Sequence, residues 1–248
     1  MGNLFDNVNV PRRNGRPNST IPEFADPGIL THPNIPKPLH GVTPRTIKGS
    51  GWWNKVRRAA YAVHDDHCHA CGEHKSKNPR GWLEAHEVYS IDYARGRAYF
   101  ADVVALCPTC HMFIHSGRLF ALWQKGEISS EFANKTLIRG LRLLDRCNKE
   151  RGTDHRPFWH TLVFMYMLTG NRSYEQAFNI VRDKGLIPED EGEFAPWESW
   201  RLVFDDQLYP PIYPTERAWM IHFGYIKESE SEPDPDDPGS FNPPDFHS

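Results

Sequence analysis

The chain has 248 residues, 39% hydrophobic and 25% charged, with a formal net charge of −3. That length allows one large domain or two small ones around a real core. No run of some 18 apolar residues is present, and the opening Met1-Gly2-Asn3-Leu4-Phe5-Asp6 has neither a basic n-region nor an apolar h-region; neither a membrane span nor a secretion signal is expected, and the chain reads as intracellular and cytoplasmic. Its charge is uneven, because residues 228 to 248 carry seven acidic side chains and no Lys or Arg. The remainder is mildly basic, which permits nucleic-acid binding without demanding it. Of the five cysteines, Cys147 stands alone and four are paired by spacing. That pattern fits a metal site in a reducing compartment better than a disulfide framework.

Residues 1 to 50 hold prolines at 11, 17, 22, 27, 33, 36, 38 and 44. Such density predicts an extended arm rather than helix or central strand. Arg12, Arg13 and Arg16 are candidates to hold a phosphate or a partner surface, against the plainer reading of a disordered tail. From 51 to 64, Trp52, Trp53, Val56, Ala59, Ala60 and Val63 recur at helical spacing with Lys55, Arg57 and Arg58 between them, which predicts an amphipathic helix. The first cysteine pair follows at once as Cys68-His69-Ala70-Cys71, and Gly72 to Pro79 has the composition of turns. Leu83 to Ile91 and Arg97 to Leu106 are rich in β-branched and aromatic residues, and Ala94-Arg95-Gly96 between them suits a hairpin.

The second pair, Cys107-Pro108-Thr109-Cys110, opens a helix carrying His111 and His115. Two Cys-x-x-Cys pairs a few tens of residues apart are a zinc signature, since a tetrahedral ion takes two soft ligands from each tight turn. His86, His111 and His115 are then left over. Three neutral imidazoles around an open position make a catalytic metal site, and a spacing of four on a helix puts His111 and His115 on one face.

Beyond this stretch the chain reads as helical. Ser129 or Ser130 caps a helix running to about Asn148, Phe158 to Leu168 is apolar all round and therefore buried, and Ser173 to Gln176 is a capping box. Trp197 to Leu208 is read as a last helix. Arg139, Arg142 and Arg146 recur at helical spacing as a phosphate-facing stripe or, more simply, a solvated face. The acidic end, 228 to 248, holds five prolines and two aromatics and cannot bury enough apolar area to fold alone.

Strand, hairpin, strand and helix, with His86 on the first strand and His111 and His115 on the helix, resemble the ββα-metal fold of the HNH endonucleases. The two cysteine pairs match the subset of that family with a structural zinc, and the resemblance covers about residues 52 to 125. Joined to the composition and periodicity of the rest, it gives an α+β expectation: a Pro-rich arm (1–50), a zinc-stapled ββα-metal module (51–125), a mainly helical region (126–227) and a disordered acidic tail (228–248). Carried over residue by residue, Cys68, Cys71, Cys107 and Cys110 hold structural Zn²⁺. His86 takes the first-strand ligand position, His111 and His115 take the helix positions around a catalytic Mg²⁺, Mn²⁺, Zn²⁺ or Ni²⁺, and Asp102 takes the family's Asn position. The spacing looks the same as in the nuclease domain of the DNase colicins. Small bacterial and phage proteins with His-Glu on this strand look similar.

Two residues depart from the pattern. Glu87 stands where the family has a His general base, and Asp102 where it has Asn. A carboxylate titrating near 4.3 is ionised at neutral pH and can accept a proton, more weakly than imidazole. Ionised Asp accepts hydrogen bonds but cannot donate them. A register with His86 as base would leave Ala85 as the ligand, so the first register is preferred. The implied function is metal-dependent hydrolysis of DNA, with RNA as a second substrate class. The alternative is an inactive zinc protein of this fold that engages a protein or nucleic-acid partner, such as a phage regulatory factor; nothing in the residues sets the oligomeric state.

Overall fold

The computed structural model describes residues 21–77, 81–187 and 194–228. Arg12, Arg13, Arg16 and, save for its first residue, the acidic tail lie outside the described residues. Within them the protein is α+β, with seven α-helices and one four-stranded sheet. No helix among the described residues is long and apolar enough to cross a membrane.

Strands β1 (Glu84–Asp92) and β2 (Arg97–Leu106) form the expected antiparallel hairpin, with a bulge between Val88 and Tyr89. The turn closes at Gly96, whose φ of +62° is a backbone state that side chains rarely adopt. The first cysteine pair is tied to this hairpin by its backbone: His69 N–H donates to the Ala105 carbonyl (2.7 Å), and Cys68 N–H donates to the Glu73 carbonyl (2.9 Å) to close the knuckle. Helix α2 (Pro108–Ile114) starts on Cys107 with proline in its first turn, where a missing N–H costs nothing. The chain bends at His115 (φ −87°, ψ 50°) before continuing as α3 (Ser116–Gln124).

Helix α4 (Ser130–Arg151), capped by Ser129, packs its Leu137, Leu141 and Leu144 face under α2. The approach is close because position 140 is glycine; a Cβ there would overlap the Phe113 ring. Helix α5 (Trp159–Gly170) is buried from Thr161 to Tyr166, and α6 (Tyr174–Asp183) begins with the expected Ser173–Gln176 capping box. One core runs through all of these elements, from Cys68 and Cys110 to Leu162 and Val181. The boundary expected at 125 therefore passes through continuous packing: the helical region and the cysteine module share one interior.

Three sequence expectations are corrected. Residues 21–50 are not an extended arm. They make 3₁₀ turns at Pro27–Thr31 and Lys37–Leu39 and then enter α1 (Pro44–Val63), about seven residues before the predicted start, with a capping box between Thr43 and Thr46 and a kink at Gly49. Leu30 and Leu39 are 2% and 0% exposed. Proline density misled because prolines here occupy first turns, which tolerate them, while the apolar residues between them reach the core. The predicted helix from Trp197 to Leu208 is instead β3 (Arg201–Phe204) and β4 (Gln207–Tyr209), joined by Asp205 and Asp206 at positive φ. Leu202 and Phe204 alternate inward, and β3 lies parallel to β2, pairing Arg97 with Arg201. The sheet order β1-β2-β3-β4 leaves β1 as an edge strand. A second small core, built on Leu39, Tyr89, Trp200 and Leu202, joins the former arm and the C-terminal strands to the hairpin; α7 (Glu216–His222) follows.

Candidate metal centres

Cys68, Cys71, Cys107 and Cys110 come together with their sulfurs within 4.8 Å of one another, a group able to hold a metal ion. The Cys71–Cys107 sulfur separation of 3.9 Å matches the edge of about 3.8 Å that a tetrahedron with metal–sulfur bonds of about 2.3 Å requires. Mutual hydrogen bonding pulls the Cys71 and Cys107 thiols down and pushes Cys68 and Cys110 up. Four sulfurs at this spacing make a thiolate site that a cation would complete. Arg139 stands over it: its guanidinium donates to Cys71 Sγ at 3.6 Å and to Glu73 Oε2 at 2.5 Å. The first member of the predicted arginine stripe thus serves the cysteine cluster rather than a solvated face. With Arg142, Arg146, Lys77 and Lys135 it also lines an open groove of about 830 Å³.

His86, His111 and His115 form the second group, again with one ligand atom from each within 4.8 Å of the others. The rings meet at centroid distances of 5.3, 5.2 and 4.7 Å, which places the strand imidazole against both helix imidazoles. Each ring is held from behind. His111 Nδ1–H donates to Glu84 Oε2 at 2.6 Å, since an ionised carboxylate can only accept, and this bond is the first cause holding the Glu84 carboxyl below its usual range. His115 Nδ1–H donates to Asn34 Oδ1 at 3.0 Å. Both therefore turn Nε2 toward the shared centre. The third ring is steadied by an imidazole: His32 Nδ1 lies 3.1 Å from His86 Nε2, and His32 is anchored in turn by the Tyr89 backbone, 2.8 Å from its Nε2 to Tyr89 N and 3.1 Å to Tyr89 O. Burial, then the neighbouring His115, His111 and His32, push the His86 pKa down to about 2. A neutral, oriented imidazole is the form that ligates metals, and outer partners that fix ring direction are usual behind such ligands. By donor chemistry, three imidazoles, those of His111 and His115 with Nδ1–H turned outward to oxygen acceptors, fit a divalent transition ion.

Glu87 and Asp102 do not join this group. Successive side chains on a strand point to opposite faces. Glu84 and His86 share the face of α2, whereas Glu87 accepts a hydrogen bond from the Tyr89 hydroxyl (2.9 Å) and is drawn toward Arg45 of α1. Its Oε1 is buried with no hydrogen-bond partner, and burial raises its pKa. Asp102 is exposed opposite Val88 and accepts from the Val103 N–H (2.7 Å), so it does not brace the hairpin as the Asn of the family pattern would. Glu87 and Asp102, expected as base and brace, thus lie apart from the imidazoles, whereas His86 groups with His111 and His115.

Sequence reasoning missed His32, Asn34 and Glu84. The first two lie in the segment taken for an arm, and their one local signal is a polar pair flanking Pro33. Glu84 carries a clearer sign, two residues before His86 on the same strand face. No protein-family model, curated protein or solved structure matches this chain.

Proposed function

We propose that the protein is a metal-dependent phosphodiester hydrolase of the HNH type, acting on DNA. The observation that carries this reading is the convergence of His86, His111 and His115 on a β-hairpin and helix, each imidazole backed by its own hydrogen-bond partner, beside a separate four-cysteine centre. Under this reading the cysteines hold structural zinc, which fixes the start of α2 and with it both helix histidines. A divalent ion held by His86, His111 and His115 supplies Lewis-acid stabilisation of the charge that builds on a phosphodiester oxygen. The chain's own contribution is orientation. Glu84 and Asn34 set the His111 and His115 tautomers, His32 steadies His86, and the packing of α2 on α4 keeps the helix ligands from drifting.

One observation favours a second reading, a zinc-stapled binding protein that does not cleave. Glu87, the residue the family pattern assigns to proton abstraction, turns to Tyr89 and Arg45 on the far face of β1. Plasmid nicking separates the two. The hydrolase reading expects cleavage that depends on added Mg²⁺, Mn²⁺ or Ni²⁺ and is lost in His111→Ala. If Glu87 is the base in spite of its position, Glu87→Gln slows the chemical step by roughly 10²- to 10⁴-fold with metal affinity intact. An inert parent protein with all three ions, together with retained DNA binding, selects the binding protein.

A further inference from the structure

Helix α4 buries Leu137, Leu141 and Leu144 and turns its opposite face outward. Lys135, Arg139, Arg142 and Arg146 recur on that face every three or four residues, over about 16 Å of axis at roughly 1.5 Å per residue. It is one wall of the open groove of about 830 Å³; the first cysteine knuckle, from Cys71 to His74, and Lys77 form the other. Among the described lining residues five are Lys or Arg and two are Glu, and both acids are engaged within the groove: Glu73 by Arg139 (2.5 Å) and Glu131 by Lys135 (2.6 Å). Two acids further along α4 are occupied as well, since Asp145 pairs with Lys149 (2.7 Å) and Glu150 accepts from the Ile21 N–H (3.3 Å). The lining therefore carries an excess of positive charge, supplied by Lys77, Arg142 and Arg146. Arg142 and Arg146 make other contacts too, and what they bring to the groove is charge. Arg139 offsets Glu73 and the thiolate of Cys71, so it is not one of the three.

We infer that this groove holds the phosphate backbone of a nucleic acid, with Lys77, Arg142 and Arg146 as the phosphate contacts. A guanidinium matches phosphate oxygens bidentately, and a lysine ammonium meets them as a point charge. Cations strung along a helix suit a polymer of evenly spaced charges; a single small anion is held instead by a few groups that converge on one point. An acidic protein also feels this field, but it presents carboxylates on separate flexible side chains rather than a continuous line of charge. Contacts of this kind set the position of the polymer and read no sequence. Taking the polymer as duplex DNA rests on the hydrolase reading, whereas the phosphate site stands on the charge and shape of the groove.

The test is equilibrium binding of a labelled DNA duplex to the full chain over roughly 50–200 mM salt, by fluorescence anisotropy without added divalent ion. The parent protein should bind with a steep salt dependence. Lys77→Gln, Arg142→Gln and Arg146→Gln should each lower the slope of log K against log salt by about 0.9, and the affinity near 0.1 M salt by about 8-fold, whatever the DNA sequence. Arg142→Lys keeps the charge and should keep the slope; Lys184→Gln, an exposed cation outside the groove, should change nothing. A parent that does not bind overturns the inference, as do parental affinity and slope in all three Gln variants. So does an Arg142→Lys that falls as far as Arg142→Gln, because Arg142 then acts through its other contacts. Equal competition by polyglutamate and by unlabelled DNA, at the same concentration of charge, would overturn it in favour of an acidic protein partner. Metal-supported cleavage with binding indifferent to the three cations would sink the groove and keep the hydrolase. A salt slope carried by the three cations, with no cleavage in Mg²⁺, Mn²⁺ or Ni²⁺, would keep the groove and sink the hydrolase.

Discussion

Removing the Glu84 carboxylate should weaken metal binding at the histidine centre without touching a ligand. Glu84 Oε2 lies 2.6 Å from His111 Nδ1, and the two side chains are 33% and 19% exposed. A hydrogen bond to a charged group contributes about 1.5–3 kcal/mol when well shielded, and partial exposure places this one toward the lower end. Loss of such an outer partner typically lowers metal affinity 10- to 100-fold. Glu84→Gln, whose amide oxygen can still accept from Nδ1–H, should lose about 10-fold, and Glu84→Ala, which frees the ring to rotate and to change tautomer, should approach 100-fold. Co²⁺ titration reads this directly, because an imidazole site lacks the intense sulfur-to-metal absorption of a thiolate site and the two centres report separately. Glu84→Ala with parental affinity at the imidazole site and an unchanged circular dichroism spectrum would refute the argument that this carboxylate positions His111.

Two further outcomes test the frame around the site. Cys107→Ser removes one of the four thiolates at the start of α2; because a structural zinc can contribute on the order of 10 kcal/mol to a small module, the variant should lose tightly bound zinc and near-UV circular dichroism together, and a zinc-free protein with an unchanged spectrum would show that the cysteines carry no structural load. Gly140→Ala puts a methyl group into the Phe113 ring and should lower the unfolding free energy in urea by about 1–3 kcal/mol, whereas an unchanged midpoint would mean that α2 and α4 do not meet as closely as described.

Short-range patterns in the chain determine a good part of this molecule. Cysteine spacing marks four residues that do converge, alternation and a turn glycine mark the β1–β2 hairpin, and the Ser129 and Ser173 caps mark where α4 and α6 begin. The three site histidines are legible for the same reason, since a strand residue and a helical i, i+4 pair are set by local geometry. What tertiary structure alone decided is everything that depends on which distant apolar residues find each other. Leu30 and Leu39 draw a proline-rich segment into the interior, and only that docking brings His32 behind His86 and Asn34 behind His115. Leu202 and Phe204 read as well in a helix as in a strand; the open edge of β2 made them β3. Glu87 was placed by its neighbour in sequence, but adjacent residues on a strand face opposite ways, and the face that holds Tyr89 and Arg45 took it from the histidines. Local chemistry is written in spacing, whereas the partners that orient a ligand arrive through burial of side chains far away in sequence.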